Sequence, residues 1–109
     1  MTRTRCDRLR ELYRLMDPKE TGFLRVSVFR AMGSTVSEQC GEVWGSAQHE
    51  GLSDRLQLES ELSDTSDKGG EAAVSEAGFV TNTDKVFPEG AVGFAAVMAA
   101  YFDAATIEH

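Results

Sequence analysis

The stretch Leu9-Arg10-Glu11-Leu12-Tyr13-Arg14-Leu15-Met16-Asp17-Pro18-Lys19-Glu20-Thr21-Gly22-Phe23-Leu24-Arg25-Val26-Ser27-Val28-Phe29-Arg30-Ala31-Met32 decides the fold. Cys6, Leu9, Leu12, Tyr13 and Met16 recur at steps of three and four residues, which predicts an amphipathic helix over residues 4–16. Asp17-Pro18 must end it, because the residue before proline is pushed out of the α region. Residues 17–22 have turn chemistry, and Gly22 supplies a position where φ can be positive. Phe23-Leu24-Arg25 then reads as extended. Val26, Phe29 and Met32 restore a three-residue spacing that ends at Gly33, a natural C-cap.

Downstream, Thr35-Val36-Ser37-Glu38 fits a capping box opening a helix with Cys40, Val43, Trp44 and Ala47 on one face. Gly41 and Gly45 weaken it by about 1 kcal/mol each relative to alanine, so packing must hold it. Leu52, Leu56, Leu58 and Leu62 fit a loop followed by a helix, or a short strand leading into one. Residues 63–71 read as an acidic loop, and residues 72–105 as a helical segment. Within that segment 72–79 is a short helix, 80–86 contains turn residues, and a final helix runs over 88–105. The final helix is expected to bury Val92, Ala95, Val97 or Met98, and Phe102. Its small residues, among them Ala95, Ala96 and Ala99, would let another helix approach closely.

The 109 residues make one domain, of ordinary globular composition at 41% hydrophobic and 27% charged. No apolar run approaches the roughly 20 residues of a membrane-spanning helix, and no apolar stretch follows Thr2-Arg3-Thr4-Arg5, so a cytoplasmic chain is expected. Cys6 and Cys40 are the only cysteines and read as reduced apolar groups, with a disulfide between two helices as the alternative. The net charge of -7 disfavours nucleic acid. It hides an asymmetry: residues 1–30 balance at +4, residues 48–78 at -6.

Residues 9–32 resemble an EF-hand of the calmodulin, centrin and myosin light-chain superfamily. Asp17 falls on the first loop position, Gly22 on the sixth, Leu24 on the apolar eighth, and Phe29 opens the exiting helix. The resemblance implies a mostly α fold: an EF-hand-like helix-loop-helix pair with an additional C-terminal helix, hand one over 4–33 and a weaker hand two over 35–64. In hand two, residues 49–60 are the loop and Leu56 meets Leu24 in a two-stranded contact. A third partial hand near residues 82–89, or a single pair whose second exit helix is 88–105, are alternatives. Calcium takes six to eight oxygen ligands. The ligand positions of hand one hold Asp17, Lys19, Thr21, Arg25 and Val28, of which only Asp17 and Thr21 are vestigial ligands, so no calcium or other cofactor is expected.

No catalytic set is visible, since His49 and His109 are isolated and neither cysteine has a base matched to it. The expected function is therefore a calcium-independent protein-binding or structural subunit, light-chain-like, in a cytoskeletal, ciliary or flagellar assembly. A calcium-responsive sensor is the alternative, a small enzyme the weakest class. Two features are candidates for contacting a protein partner, a helix or an acidic cytoskeletal surface. One is the basic stripe Arg3, Arg10 and Arg14; the other is an adaptable apolar groove of Met16, Phe29, Met32, Trp44, Met98 and Phe102, for each of which core burial is the competing reading.

Overall fold

The apolar spacing of Leu9, Leu12, Tyr13 and Met16 builds helix α1, Arg5–Met16, with all four side chains buried. The protein is described from a computed structural model that covers residues 5–17, 20–64, 66 and 69–108. After α1 come strand β1 (Leu24–Arg25), α2 (Val26–Arg30), α3 (Gly33–Cys40), α4 (Ser46–Leu62), strand β2 (Ala73–Val74), α5 (Glu76–Val86) and α6 (Ala91–Glu108). The architecture is mostly helical with one small antiparallel sheet.

That sheet joins two loops far apart in sequence. Leu24 pairs with Val74 and Arg25 with Ala73, and the N–H of Val26 donates to the carbonyl of Ala72 at 3.0 Å. Leu24 and Val74 are both buried, so the contact belongs to the core as well as to the ladder. The Tyr13 hydroxyl donates to the Val74 carbonyl at 3.0 Å and fastens α1 to the same strand. Arg25 and Glu71 add a solvent-side ion pair at 3.4 Å.

Several expectations are overturned here. Residues 49–60, expected as a second loop, lie inside the continuous helix α4, and Leu56 is a core residue rather than the partner of Leu24. The expected capping box at Thr35–Glu38 is absent, because α3 has already begun at Gly33. Gly33 is thus not a C-cap. A side chain there would sit 2.7 Å from Cδ2 of His49, which demands glycine. The helix expected to carry Val43 and Trp44 stops at Cys40, and α4 starts afresh after Gly45, whose N–H donates to Gln48 Oε1 at 2.9 Å. Residues 73–74 are strand rather than helix, and the expected turn residues 80–86 are helical. α6 begins at Ala91, beyond Pro88, and exposes Val92 and Ala95.

The core centres on Tyr101 of α6. Its ring stacks on Phe29 at 5.4 Å and on Phe87 at 5.5 Å, and Phe29 also stacks on His49 at 4.8 Å. The hydroxyl accepts the Trp44 Nε1–H at 2.9 Å and lies 2.6 Å from Nδ1 of His49. The other imidazole nitrogen, Nε2, is 3.2 Å from the Arg30 carbonyl. A carbonyl only accepts, so Nε2 carries the proton, Nδ1 is bare, and Tyr101 donates to it. Every polar group of this buried set is satisfied. α1 and α3 pack on α6, α5 packs on α1, and α4 packs on α2, α3 and α5.

Burial holds the His49 imidazole below its ordinary value of 6.5, more than the Arg30 and Phe29 backbone contacts raise it. The folded state keeps it neutral while the unfolded state takes up a proton. Stability is therefore full above about pH 6.5 and declines as the pH falls below it. Urea denaturation of the wild type between about pH 7.5 and 5.5 will show that decline, and His49→Gln will flatten it. Tyr101→Phe strands the Trp44 donor and will cost about 1–3 kcal/mol by the same measurement at neutral pH.

Candidate protein-binding groove

The loop after α1 shows why Asp17 is where it is. Its Oδ1 accepts the Thr21 N–H at 3.0 Å and the Thr21 hydroxyl at 2.8 Å, and its Oδ2 accepts the Gly22 N–H at 2.9 Å. The carboxylate is nearly buried and both oxygens face donors. Gly22, with φ of 85°, adopts the left-handed backbone that brings its N–H round to them. Asp17 and Thr21 thus close the loop on itself, with three of the carboxylate's roughly four acceptor positions taken by the loop's own donors.

Of the basic stripe, Arg3 lies outside the described residues. Arg10 and Arg14 are both exposed on α1, at the lip of a groove of about 680 Å³ between α1 and α5. Cys6 and Val80 lie along the groove, and Lys85 stands with Arg10 and Arg14 among its lining residues. Arg10 pairs with Asp7 at 3.1 Å. Arg14, with 70% of its side chain exposed, lies 3.5 Å from Glu76. That carboxylate's Oε1 is buried, yet accepts no hydrogen bond among the described residues. The Arg14–Glu76 pair separates the groove from a smaller hollow of about 240 Å³ bordered by Tyr13, Asp17 and Gly22. Burial, with the charges of Asp17 and Glu76 adding to it, pushes the Tyr13 phenol up to about 12, so it remains the neutral donor its bond to Val74 requires.

The Met-rich set is not at the surface. Met16, Phe29, Met32, Trp44 and Met98 are buried in the core, and Phe102 is half-buried with the Arg8 guanidinium 5.0 Å above its ring. As placed, these residues stabilise the fold, and the expected apolar groove is absent because its members pack on one another in the core. Cys6 and Cys40 are free thiols, both half-buried; burial pushes the Cys40 thiol up.

Sequence reasoning missed Arg5 and His49. Arg5 Nε donates to Asp84 Oδ1 at 2.8 Å, and its other nitrogens reach the carbonyls of Asp84, Phe87 and Pro88. It therefore binds the end of α5, where unpaired carbonyls favour a cation. No local signal gives this, since the pair spans most of the chain. Comparison of the chain with protein-family models, with curated proteins and with solved structures gives no match.

Asp17→Ala removes the acceptor of two N–H groups and one hydroxyl at a nearly buried site, and is expected to cost about 1–3 kcal/mol in urea denaturation. Arg5→Ala should cost about 1–3 kcal/mol, because it releases a charged donor from several carbonyls and from the Phe94 ring, 4.2 Å away.

Proposed function

We propose that this chain is a calcium-independent protein-binding module, an EF-hand-like pair in which α1 and α2 flank the first loop and α4 and α5 flank the second. The pairing Leu24–Val74 supports the reading, since each residue precedes by five positions a buried phenylalanine, Phe29 or Phe79, and those rings meet edge-on at 5.9 Å. Gly22 and Gly70, both at positive φ, precede the two strands. The second unit is thus centred on residues 46–86, not on 35–64. Among known EF-hand proteins light chains supply the analogy, and we place the chain as a structural subunit of a cytoplasmic assembly of cytoskeletal or ciliary kind.

The observation that carries the binding role is the open α1–α5 groove, where Arg10, Arg14 and Lys85 outnumber the carboxylates of Glu76 and Asp84 in the lining. An acidic helix or loop of a partner protein complements that edge. Independence from calcium is supported by the ligand positions themselves, where Lys19, Arg25 and Val28 supply no carboxylate, and by the Asp17 clasp, which takes up most of that carboxylate's acceptor capacity.

Two measurements test the proposal. Calorimetric titration will give calcium binding weaker than about 1 mM or none, and Val28→Glu will not rescue it, because Lys19 and Arg25 stay among the ligand positions; affinity tighter than about 0.1 mM sinks the reading. The double change Arg10→Glu with Arg14→Glu will leave stability within about 1 kcal/mol. It should slow association with a partner recovered on the tagged chain and flatten its salt dependence. Association insensitive to both the change and salt would remove the groove from consideration.

A further inference from the structure

We infer that the outward face of α6 is a second docking surface, whose occupant is a basic amphipathic helix of another protein. A surface helix is ordinarily apolar on one stripe and charged on the other. α4 follows this rule over most of its length, with Glu50, Asp54, Arg55 and Glu61 exposed, although Leu58 and Leu62 near its end are exposed as well. α6 does not. Its inward stripe, with Val97, Met98, Tyr101 and Ala105, is buried, yet its outward stripe is Val92, Ala95, Ala96, Ala99, Asp103 and Ile107. Asp103 is the only charge between residues 91 and 107, while Val92 is 86% and Ile107 70% exposed.

This face runs about 22 Å along the helix. Phe102, under Arg8 of α1, borders one side. Gly93, against Pro88 and Val43, borders the other. A largely apolar face left in water, interrupted by Asp103 and Thr106, marks an interaction site. Alanines at 95, 96 and 99 allow a second helix axis to come to about 8 Å, the close end of helix packing.

Charge chooses the occupant. Asp103 on the face, Glu42 beside Val43 and Glu89 just ahead of α6 are exposed. None of the three has an ion-pair partner among the described residues. The cation at the border, Arg8, is engaged by Glu11 at 2.8 Å. A second copy, itself carrying -7, would bring like-charged rims together. A helix with lysines or arginines flanking an apolar seam supplies the complement. No residue of α6 lines the α1–α5 groove, so this surface goes beyond the groove reading and stands or falls apart from it.

The test uses the full chain and two labelled synthetic helices of about 18 residues, one with leucine and alanine on one face and lysine on the flanks, the other with glutamate replacing lysine. Fluorescence anisotropy should show the lysine peptide binding at least about tenfold more tightly than the glutamate peptide. Ala96→Gln with Ala99→Gln should weaken the lysine peptide about tenfold or more, as should Val92→Gln, chosen in case the double variant loses its circular dichroism spectrum. Arg10→Gln with Arg14→Gln, which disables the groove, should change it by less than about twofold. Equal binding of both peptides, or indifference to both face variants, overturns the proposal. So does a wild-type dimer in sedimentation equilibrium that the alanine variants dissolve, since the occupant is then a second copy.

Discussion

The hydroxyl of Tyr101 is the group on which the rest of the molecule converges. It belongs to the last helix, yet it is bonded to Trp44 from the segment between α3 and α4 and to His49 from the start of α4. Through Nε2 of His49 it reaches the Arg30 carbonyl at the end of α2. One hydroxyl therefore ties α6 to three other parts of the chain, in a volume from which water is excluded. A buried polar set is favourable only when complete, because an unmade bond costs more than a made one returns. The set consequently admits one tautomer and one orientation of each ring. Gly33 belongs to the same constraint, since the imidazole occupies the space any side chain there would need.

The second constraint is the pairing of two short strands. Two residues on each side give too few hydrogen bonds to persist in water alone. They persist because Leu24 and Val74 also bury their side chains and because Tyr13 donates to the same strand. The loops thus act as struts between helix pairs. Asp17, by closing its own loop, makes that strut self-sufficient.

How much of this was legible depended on whether the deciding interactions were local. α1, the positive φ at Gly22 and the extended Leu24–Arg25 follow from apolar period and glycine and agree with the structure, while Pro18 and Lys19 lie outside the described residues. α5 was not legible in this way. Thr81, Asn82, Thr83 and Asp84 look like turn residues, but Asn82 donates to Glu59 at 2.9 Å and to the Gly78 carbonyl at 2.8 Å while accepting from Arg55 at 3.1 Å. Tertiary partners turned a turn former into a helix residue. The leucines of α4 admitted two periods, and the choice rested on Val74 rather than Leu56 facing Leu24. For α6 the span was close, but a helix apolar on all sides gives no stripe from which its buried side can be chosen. Of the candidate site, Arg10 and Arg14 were placed correctly on the solvent side of α1. The Met-rich groove was not, because apolar spacing marks a residue as facing other elements without saying whether those elements close over it.

Trp44 is the only tryptophan in the chain, and it sits 4% exposed with its ring edge-on to Phe87 and its N–H held by Tyr101 of α6. The indole emission thus has one source, at the junction where the last helix meets the body. Lifting α6 would break that bond and wet the ring together, shifting the colour and intensity of the light the protein gives off. The molecule carries its own optical gauge of whether α6 is seated, with no label attached.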